Sequence, residues 1–163
     1  MKILFFTQYF WPENFRINEL IKFFTSSKYK NIVLTAYPSY PSKKYFKEFK
    51  ISDDNKFLNE RIIRIPVIPR YTNNFFLILN YLSFFIASFF YSLSVLYKTK
   101  FKILFLFCPS PIYSVLPIIL VNKLFKVKTV LWVLDLWPDT IIDLKKIKNK
   151  YLINFLKKIV KYI

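Results

Sequence analysis

Short apolar runs alternate along this chain with longer segments in which apolar residues recur at helical spacing. Each run has the length and the Ile, Leu, Val and Phe content of a strand that is buried on both faces. The runs cover 2–6, 31–36, 61–65, 103–107 and 127–134. Strands that alternate with helices form β-α-β units, and these build a parallel sheet. The pattern therefore predicts an α/β fold, a Rossmann-like parallel sheet with helices on both faces.

Helical spacing is clearest in three segments that lie between these runs. They cover 15–25, 74–97 and 111–125. Asn14 is expected to cap the first of these helices, and Pro111 stands near the first turn of the third. Each is expected to pack against the predicted sheet.

A fourth helix, predicted over 145–163, is amphipathic and basic. Its apolar face consists of Leu152, Phe155, Leu156, Ile159, Val160 and Ile163. The rest of its surface carries Lys145, Lys146, Lys148, Lys150, Lys157, Lys158 and Lys161. Such a helix is either an ordinary surface helix docked on the sheet or an interfacial helix at a membrane.

The segment 71–97 contains no charged residue and is long enough to span a bilayer. A spanning helix would place the runs 103–107 and 127–134 on the opposite side of the membrane from the first three. Neither side would then hold enough strands for a covered sheet. A long crossover helix, buried or facing a membrane, is therefore favoured. The alternative is a small integral membrane protein, anchored by residues 74–97 and without a catalytic role.

The composition excludes whole classes of chemistry. The chain has no His, no Gly and a single Cys, Cys108. It therefore has no Ser-His-Asp or Cys-His pair, no His-based or Cys-based metal site, and no glycine-rich phosphate loop. A lone Cys fits a reducing compartment. Backbone positions with positive φ must be filled by other residues, and Asn31, Asn73 and Asn149 are candidates.

The charge balance is strongly basic. Lys and Arg total 26 against 9 Asp and Glu, for a net charge of +17. Attraction to an anionic membrane face and a simple excess of surface lysine both explain this balance. Only four of the basic residues are Arg, which disfavours nucleic acid as a partner. The start of the chain lacks the pattern of a signal peptide, so a cytoplasmic location is predicted.

Polar residues gather where the predicted strands end, at the edge where sheets of this kind bind ligands. After the first run come Gln8, Glu13, Asn14, Arg16 and Asn18. A helix N-terminus beside an arginine suits a phosphate or a sugar hydroxyl, so Glu13, Asn14 and Arg16 are candidates for substrate binding. The structural alternative is that Asn14 only caps the helix while Glu13 pairs with Arg16.

Two loops that contain proline offer further candidates for substrate binding. Tyr37 and Tyr40 lie in YPSYPS after the second run, and Ser110 follows the fourth run in CPSPIYS. Such loops are ordered and non-helical, and they present their side chains at a fixed place. For Ser110 the structural alternative is the N-cap of the next helix.

The segment after the fifth run, LDLWPDT, holds the candidate for catalysis. Asp135 ends an apolar run, where a buried carboxylate needs a partner or a function. It is the predicted catalytic residue, as an acceptor ligand or a general base. Trp137 is expected to stack on a sugar ring, and Asp139 either binds substrate or caps the next helix.

Six segments occur here in the order in which a known family carries them. They read MKILFFTQYFWPENFRINEL, VLTAYPSYPSKKYF, RIPVIPR, LNYLSF, PSPI and VLWVLDLWPDT. Together they resemble the N-terminal domain of glycosyltransferase family 4, which has the GT-B fold. Within that family the sequence is most similar to bacterial surface-polysaccharide transferases that resemble fucosaminyltransferases.

The resemblance implies an enzyme of two Rossmann-like domains with the active site between them. Residues 1–163 would form the N-terminal domain, which binds a lipid-linked sugar acceptor at the cytoplasmic face of the membrane. A C-terminal domain would bind the nucleotide-sugar donor. The reaction would need no metal and no cofactor and would serve the synthesis of O-antigen or capsule. An anionic membrane surface is an expected partner.

The sequence departs from the family at several positions. Many members carry Gly-Gly after the first strand, where this chain reads Pro12-Glu13-Asn14-Phe15, and Ala36 replaces a common glycine. The chain also ends where the family's donor-binding domain begins. We therefore expect that domain to be missing or to be a separate partner, and the chain to be inactive alone.

Overall fold

The computed structural model describes residues 2–25, 30–57, 61–135, 137–139 and 149–163. In this part of the chain, five strands form one parallel sheet in the order β3-β2-β1-β4-β5. The strands are β1 (Lys2–Thr7), β2 (Lys30–Ala36), β3 (Arg61–Ile65), β4 (Ile103–Cys108) and β5 (Lys128–Val133). All five strands predicted from the sequence are found, each within one residue of its predicted limits.

Helices connect and cover the strands. They are α1 (Ile17–Thr25), α2 (Asp54–Phe57), α3 (Asn74–Lys98), α4 (Leu116–Phe125) and α5 (Lys150–Tyr162). Short 3-10 turns precede α2 and α4, and the second of these covers Ile112–Val115. The predicted helix over 145–163 is thus found from Lys150 onward, while Lys145, Lys146 and Lys148 lie outside the described residues.

Alternation along the strands sends apolar side chains to both faces of the sheet. One face packs with α1 in a cluster of Ile3, Phe5, Phe10, Ile17, Ile21, Val33 and Phe107. The other face packs with α3 and α4 and includes Leu4, Phe6, Leu34, Phe84, Leu104, Leu106 and Ile118. The predicted α/β arrangement, a Rossmann-like sheet with helices on both faces, is therefore confirmed.

Helix α3 is a crossover helix between two strands of the same sheet. Its buried face consists of Asn80, Phe84, Ser88, Ser92, Val95 and Leu96. By length and composition it is the one described helix that is able to cross a membrane, and 22% of its most apolar stretch is buried. However, β1 before it and β4 after it are hydrogen-bonded neighbours. This pairing disfavours the alternative in which residues 74–97 separate the strands across a bilayer.

Helix α5 packs against the 3-10 turn Ile112–Val115 through part of the face predicted from the sequence. Leu156 is buried, and Val160 and Ile163 pack against the core cluster that includes Ile112 and Val115. Phe155 was expected on the same face but is 59% exposed. It is one residue from Leu156, about 100° around the helix, which turns it towards solvent.

Asn14 does not cap α1, so this local prediction is wrong. Helix α1 begins three residues later, at Ile17, and Asn14 is exposed. A polar turn occupies the space between them, and Asn18 fixes it from inside the helix. The Asn18 amide donates to the Glu13 carbonyl (2.7 Å) and accepts from the Trp11 N–H (3.1 Å).

The three asparagines expected at positive φ do not adopt it. Asn31 lies in β2, Asn73 caps α3 from an extended conformation, and Asn149 accepts from the N–H of Tyr151. Among the described residues, the positive φ belongs to Lys126 (54°), which ends α4. Asn122 supports this left-handed residue by bonding both the N–H and the carbonyl of Val127. The chain therefore ends a helix without the usual glycine.

Candidate functional site

A groove of about 400 Å³ opens at the carboxyl edge of the sheet, between α3 and the 3-10 turn Ile112–Val115. Its walls come from the loops after β1, β4 and β5 and from one face of α3. They consist of Gln8, Ile78, Tyr81, Leu82, Phe84, Phe85, Ser110, Pro111, Tyr113, Ser114 and Trp137. Most of this surface is apolar, with a few polar groups at fixed places, as is typical of ligand sites.

A wider depression of about 1010 Å³ lies beside the 3-10 turn Lys43–Phe46. It is open to solvent, and Lys44, Lys47 and Lys50 line it. None of the residues predicted for the site lines it, and of the loops after β1, β4 and β5 only the first reaches it, through Trp11 and Pro12. The groove is therefore the better candidate, because it lies at the edge where this fold binds ligands.

A chain of side-chain amides lies beneath the groove. The Gln8 Nε2 donates to Asn80 Oδ1 (3.1 Å), and the Asn80 Nδ2 donates to the carbonyl of Ile68 (2.7 Å). Gln8 is 2% exposed, and its Oε1 has no hydrogen-bond partner among the described residues. The groove therefore has beneath it a buried acceptor that no described residue uses.

Ser110, Tyr113 and Trp137 form the wall opposite α3. The Trp137 Nε1 donates to Ser110 Oγ (3.1 Å), and the Tyr113 ring meets the Trp137 ring edge-on at 5.3 Å. Ser110 does not cap the helix after β4, because Pro111 takes that position. The Tyr113 hydroxyl is buried without a partner in the described part of the chain. Burial raises its pKa to about 12, so it stays a neutral hydroxyl.

Asp135 lies just past β5, as predicted, two residues before the groove residue Trp137. It is partly buried, and its backbone carbonyl accepts from the N–H of Trp137 (2.9 Å). Its carboxylate lies near the end of β4. At that strand end lies the Cys108 thiol, whose pKa is raised to about 11. Burial is the main cause, and the negative charge of Asp135 adds to it. Cys108 is thus an inert thiol.

Glu13 holds two loops together at the same edge of the sheet. Its Oε2 accepts from the N–H of Phe10 (3.0 Å), and its Oε1 accepts from Ser39 (2.8 Å) and Tyr40 (2.7 Å). It does not pair with Arg16, the structural alternative considered above. Burial raises the pKa of Glu13 to about 7, although the three amide bonds act in the opposite direction.

A cluster of aromatic rings carries one cation to the rim of the groove. The Arg70 guanidinium lies over the Tyr40 ring at 4.9 Å and donates to the Tyr9 hydroxyl (3.2 Å). The Tyr9 ring stacks on Phe15 at 5.2 Å. Burial, and then the neighbouring Tyr81, raise the pKa of Tyr9 well above its usual value. Since Tyr81 also lines the groove, Tyr9 connects Arg70 to it.

The structure brings only some of the predicted residues together. Ser110 and Trp137 line the groove, and Asp135 lies next to it. Tyr40 contacts Arg70, and Glu13 bonds the backbone of Tyr40 at the same edge of the sheet. Four others lie apart. Asn14 and Arg16 are exposed, Tyr37 lines a separate cleft of about 200 Å³, and exposed Asp139 pairs with Lys157 at 3.5 Å. Their roles in substrate binding stay predictions.

Sequence reasoning noted Gln8 among the polar residues after the first strand but did not select it for the site, and it did not select Arg70, Asn80, Tyr81 or Tyr113. A signal was present for two of them. Asn80 is a polar residue in a charge-free apolar helix, and Gln8 follows a buried strand. A buried amide in either position needs a partner. The partners, however, are 72 residues apart in the chain.

The fold has solved counterparts, but no family model and no curated protein matches the sequence. Two structures of the C-terminal domain of PF1911 hydrogenase from Pyrococcus furiosus are similar, each with a TM-score of 0.58. They are 17% and 18% identical to this chain, cover 80% of it, and are themselves covered over 90% and 89% of their lengths. At such identities the likeness shows the fold alone.

A glycosyltransferase is a more distant structural neighbour. It is a ugt transferase from Siraitia grosvenorii in complex with UDP, with a TM-score of 0.42 and 12% identity. The match covers 80% of this chain and 27% of that one. This likeness is too weak to support a function by itself.

Proposed function

We propose that this chain is the acceptor-binding domain of a glycosyltransferase, and that its acceptor is a sugar carried on a polyprenyl diphosphate. The observation that carries the proposal is the continuity of two apolar surfaces. One is the groove at the carboxyl edge of the sheet. The other is an exposed stripe on α3, from which Ile78 and Leu82 also line the groove.

The α3 stripe consists of Phe75, Ile78, Leu82, Ile86 and Phe90, which are 51–64% exposed. Their spacing of three or four residues keeps them on one face of the helix over about 22 Å. An exposed apolar surface of this kind marks a contact with a membrane or a partner. With α3 lying on a bilayer, a polyprenyl chain would reach the groove without crossing water.

The polar groups around the groove suit the head of such an acceptor. Arg70 offers a guanidinium at the rim, and arginine binds phosphate oxygens in pairs. Trp137 offers an aromatic surface for a sugar ring. Asp135, just beyond, suits the general base that would take the proton of the attacking hydroxyl.

The proposed reaction joins this acceptor to a sugar from a nucleotide sugar, without a metal, and builds a surface polysaccharide. The donor would be held by a second Rossmann-like domain that faces the same edge of the sheet. In this scheme the domain works at the cytoplasmic face of the membrane. An anionic lipid surface and the donor-binding domain are its partners.

Calorimetric titration with a monosaccharide on farnesyl diphosphate tests the proposal directly. We expect this chain to bind the analogue and not to bind UDP. Arg70→Gln should weaken binding about tenfold, the loss of one charge-assisted contact. Arg61→Gln is the matched control, because Arg61 is exposed at the opposite edge of the sheet. No binding of the analogue, or equal losses in both variants, would reject the proposed acceptor.

A further inference from the structure

We infer that the floor of the groove is a site for a hydrogen-bond donor, and that Gln8 Oε1 accepts a hydroxyl or amide hydrogen from the ligand's head. The inference names the part of the ligand that lies deepest. It rests on the proposed function for the lipid nature of that ligand. Three steps lead to it: the orientation of two amides, the burial of the unused oxygen, and the apolar walls around it.

The orientation of both amides follows from the one group that is able only to accept. The carbonyl of Ile68 needs a donor, so Asn80 must turn its Nδ2 towards it (2.7 Å). Asn80 Oδ1 then faces Gln8 and requires the Gln8 Nε2 (3.1 Å). Gln8 Oε1 is left on the other side, without a partner among the described residues. Since Gln8 is one of the residues that line the groove, the network leaves this acceptor just beneath the groove's floor.

The second step is the burial of Gln8 Oε1, which makes its missing hydrogen bond costly. Gln8 is 2% exposed, and a buried carbonyl oxygen without a partner lowers stability. Proteins satisfy nearly all such groups, so an exception needs an explanation, such as a bound water, ion or ligand group that supplies the missing bond. Tyr113, across the groove, has a second buried hydroxyl without a described partner. Two unused polar atoms in one apolar groove point to the polar head of one ligand.

Because Gln8 Oε1 is able only to accept hydrogen bonds, it selects which part of the lipid-linked sugar lies against it. Diphosphate oxygens only accept hydrogen bonds, so a carbonyl oxygen repels them. Sugar hydroxyls and acetamido N–H groups donate. The sugar would therefore face Gln8, while the diphosphate would lie towards Arg70 at the rim. The alkyl chain would follow Leu82 and Ile78 along α3.

The test uses two isomers, 1-decanol and methyl nonyl ether, of which only the alcohol has a hydrogen-bond donor. Calorimetric titration of the wild-type chain should show about 3- to 10-fold tighter binding of the alcohol. Water solvates the alcohol better than the ether, which works against this result. Gln8→Met should bring the ratio to one or below. Leu82→Ala is the matched control in the wall, and it should weaken both ligands equally and keep the ratio.

A second variant tests the orientation of the amide rather than its presence. Asn80→Leu frees Gln8 to rotate, so the alcohol should still bind but with a smaller advantage over the ether. Equal binding of the two isomers to the wild-type chain, or no binding of either, would overturn the inference without any variant. An unchanged ratio in folded Gln8→Met would do the same.

The outcomes for the two proposals are separable. Preference for decanol without binding of the farnesyl diphosphate sugar would refute the proposed function and keep the donor site. Binding of that sugar carrier without preference between the isomers would refute the donor site alone.

Discussion

At the scale of single residues, Glu13 combines a structural task with an unusual titration. Its carboxyl group joins the loop after β1 to the loop after β2 through three backbone N–H groups. Burial raises its pKa from 4.5 to about 7. Between pH 4.5 and about 7, the carboxyl group of Glu13 is therefore protonated in the folded chain and ionised in the unfolded chain. Because the chain has no His, few other groups titrate near neutral pH.

We predict that the free energy of unfolding falls as pH rises from about 4.5 to about 7 and then levels off. The sign follows because the native state binds more protons in this range. A rise in pKa of this size corresponds to about 3 kcal/mol. Urea unfolding across pH 4.5–8.5 measures it. Glu13→Gln should show a flat profile, and a wild-type stability that rises with pH would contradict the prediction.

Asp135 is predicted to serve turnover far more than folding. It lies beyond β5, only partly buried, and its backbone carbonyl accepts the bond from Trp137 that supports the turn between them. Asn keeps the shape of the side chain but takes no proton. With the donor-binding domain supplied, Asp135→Asn should therefore lower turnover by about 10²–10⁴-fold and leave the melting temperature unchanged.

Glu19→Gln is the matched control for this substitution. Glu19 is an exposed carboxylate in the first turn of α1, and it neither lines the groove nor belongs to the residues predicted for the site. The turnover of Glu19→Gln should stay close to that of the wild type. Near-native turnover of Asp135→Asn would remove Asp135 from the catalytic residues.

The sequence indicated some site residues and missed others for a physical reason. Ser110, Asp135 and Trp137 follow strand ends, and the carboxyl ends of parallel strands share one edge, so their neighbourhood was predictable. Gln8 and Asn80 meet only because α3 crosses the sheet above β1. Contacts of that kind depend on how a helix rotates about its axis, which hydrophobic spacing does not determine to a single residue.

At the scale of elements, Arg64 ties three segments to β3. Its guanidinium pairs with Asp54 in α2 and donates to the carbonyls of Ala36 (3.0 Å) and Trp11. Both ion-pair side chains are nearly buried, at 1% and 6% exposed. The loop after β1, which contributes Gln8 to the groove, thus rests on one buried cation.

Removing the Arg64 guanidinium should leave the buried carboxylate of Asp54 without its ion-pair partner. Arg64→Leu is predicted to destabilise the fold by about 3–5 kcal/mol, measured by urea unfolding. Arg61→Leu, on the same strand but exposed, should change stability by less than about 0.5 kcal/mol. The double variant Arg64→Leu, Asp54→Leu should recover part of the loss. Equal stabilities of the two single variants would show that the pair is unimportant.

Helix α3 has two apolar faces with different tasks, and this explains why it carries no charged residue before Lys98. One face packs on the sheet with Asn80, Ser88 and Ser92 among its buried residues, and the other is the exposed α3 stripe. Sequence spacing alone did not separate the two faces, because both are apolar. What it predicted correctly was the crossover, since the strand pattern required β4 and β5 in the same sheet.

The α3 stripe is predicted to make the apolar contact with the membrane. Ile86→Lys with Phe90→Lys should lower binding to vesicles at least about tenfold, because each side chain would otherwise bury apolar area worth about 1.5–3 kcal/mol. Both lie outside the groove. Vesicle flotation measures the effect. Phe23→Lys is the control, an equally exposed Phe on α1 (69%), and it should bind like the wild type.

At the scale of the whole molecule, a net charge of +17 accompanies the exposed apolar stripe. The sheet keeps both ends of α3 on one body, so we expect this chain to lie on a bilayer rather than cross it. Surface binding of this kind has two separable parts. The charge provides a long-range attraction to anionic headgroups, and the stripe provides short-range burial.

The final prediction follows from how differently salt acts on these two parts. A basic residue near an anionic surface contributes about 1 kcal/mol at low ionic strength, and the Debye length shrinks to about 3 Å at 1 M salt. Flotation with anionic vesicles should therefore be strong at low salt and fall to the level of neutral vesicles at 1 M. The residual binding at 1 M should disappear in the Ile86→Lys, Phe90→Lys variant, although that variant carries two more positive charges. Equal flotation on neutral and anionic vesicles at low salt would exclude the electrostatic part, and resistance to alkaline carbonate extraction would favour a spanning helix after all.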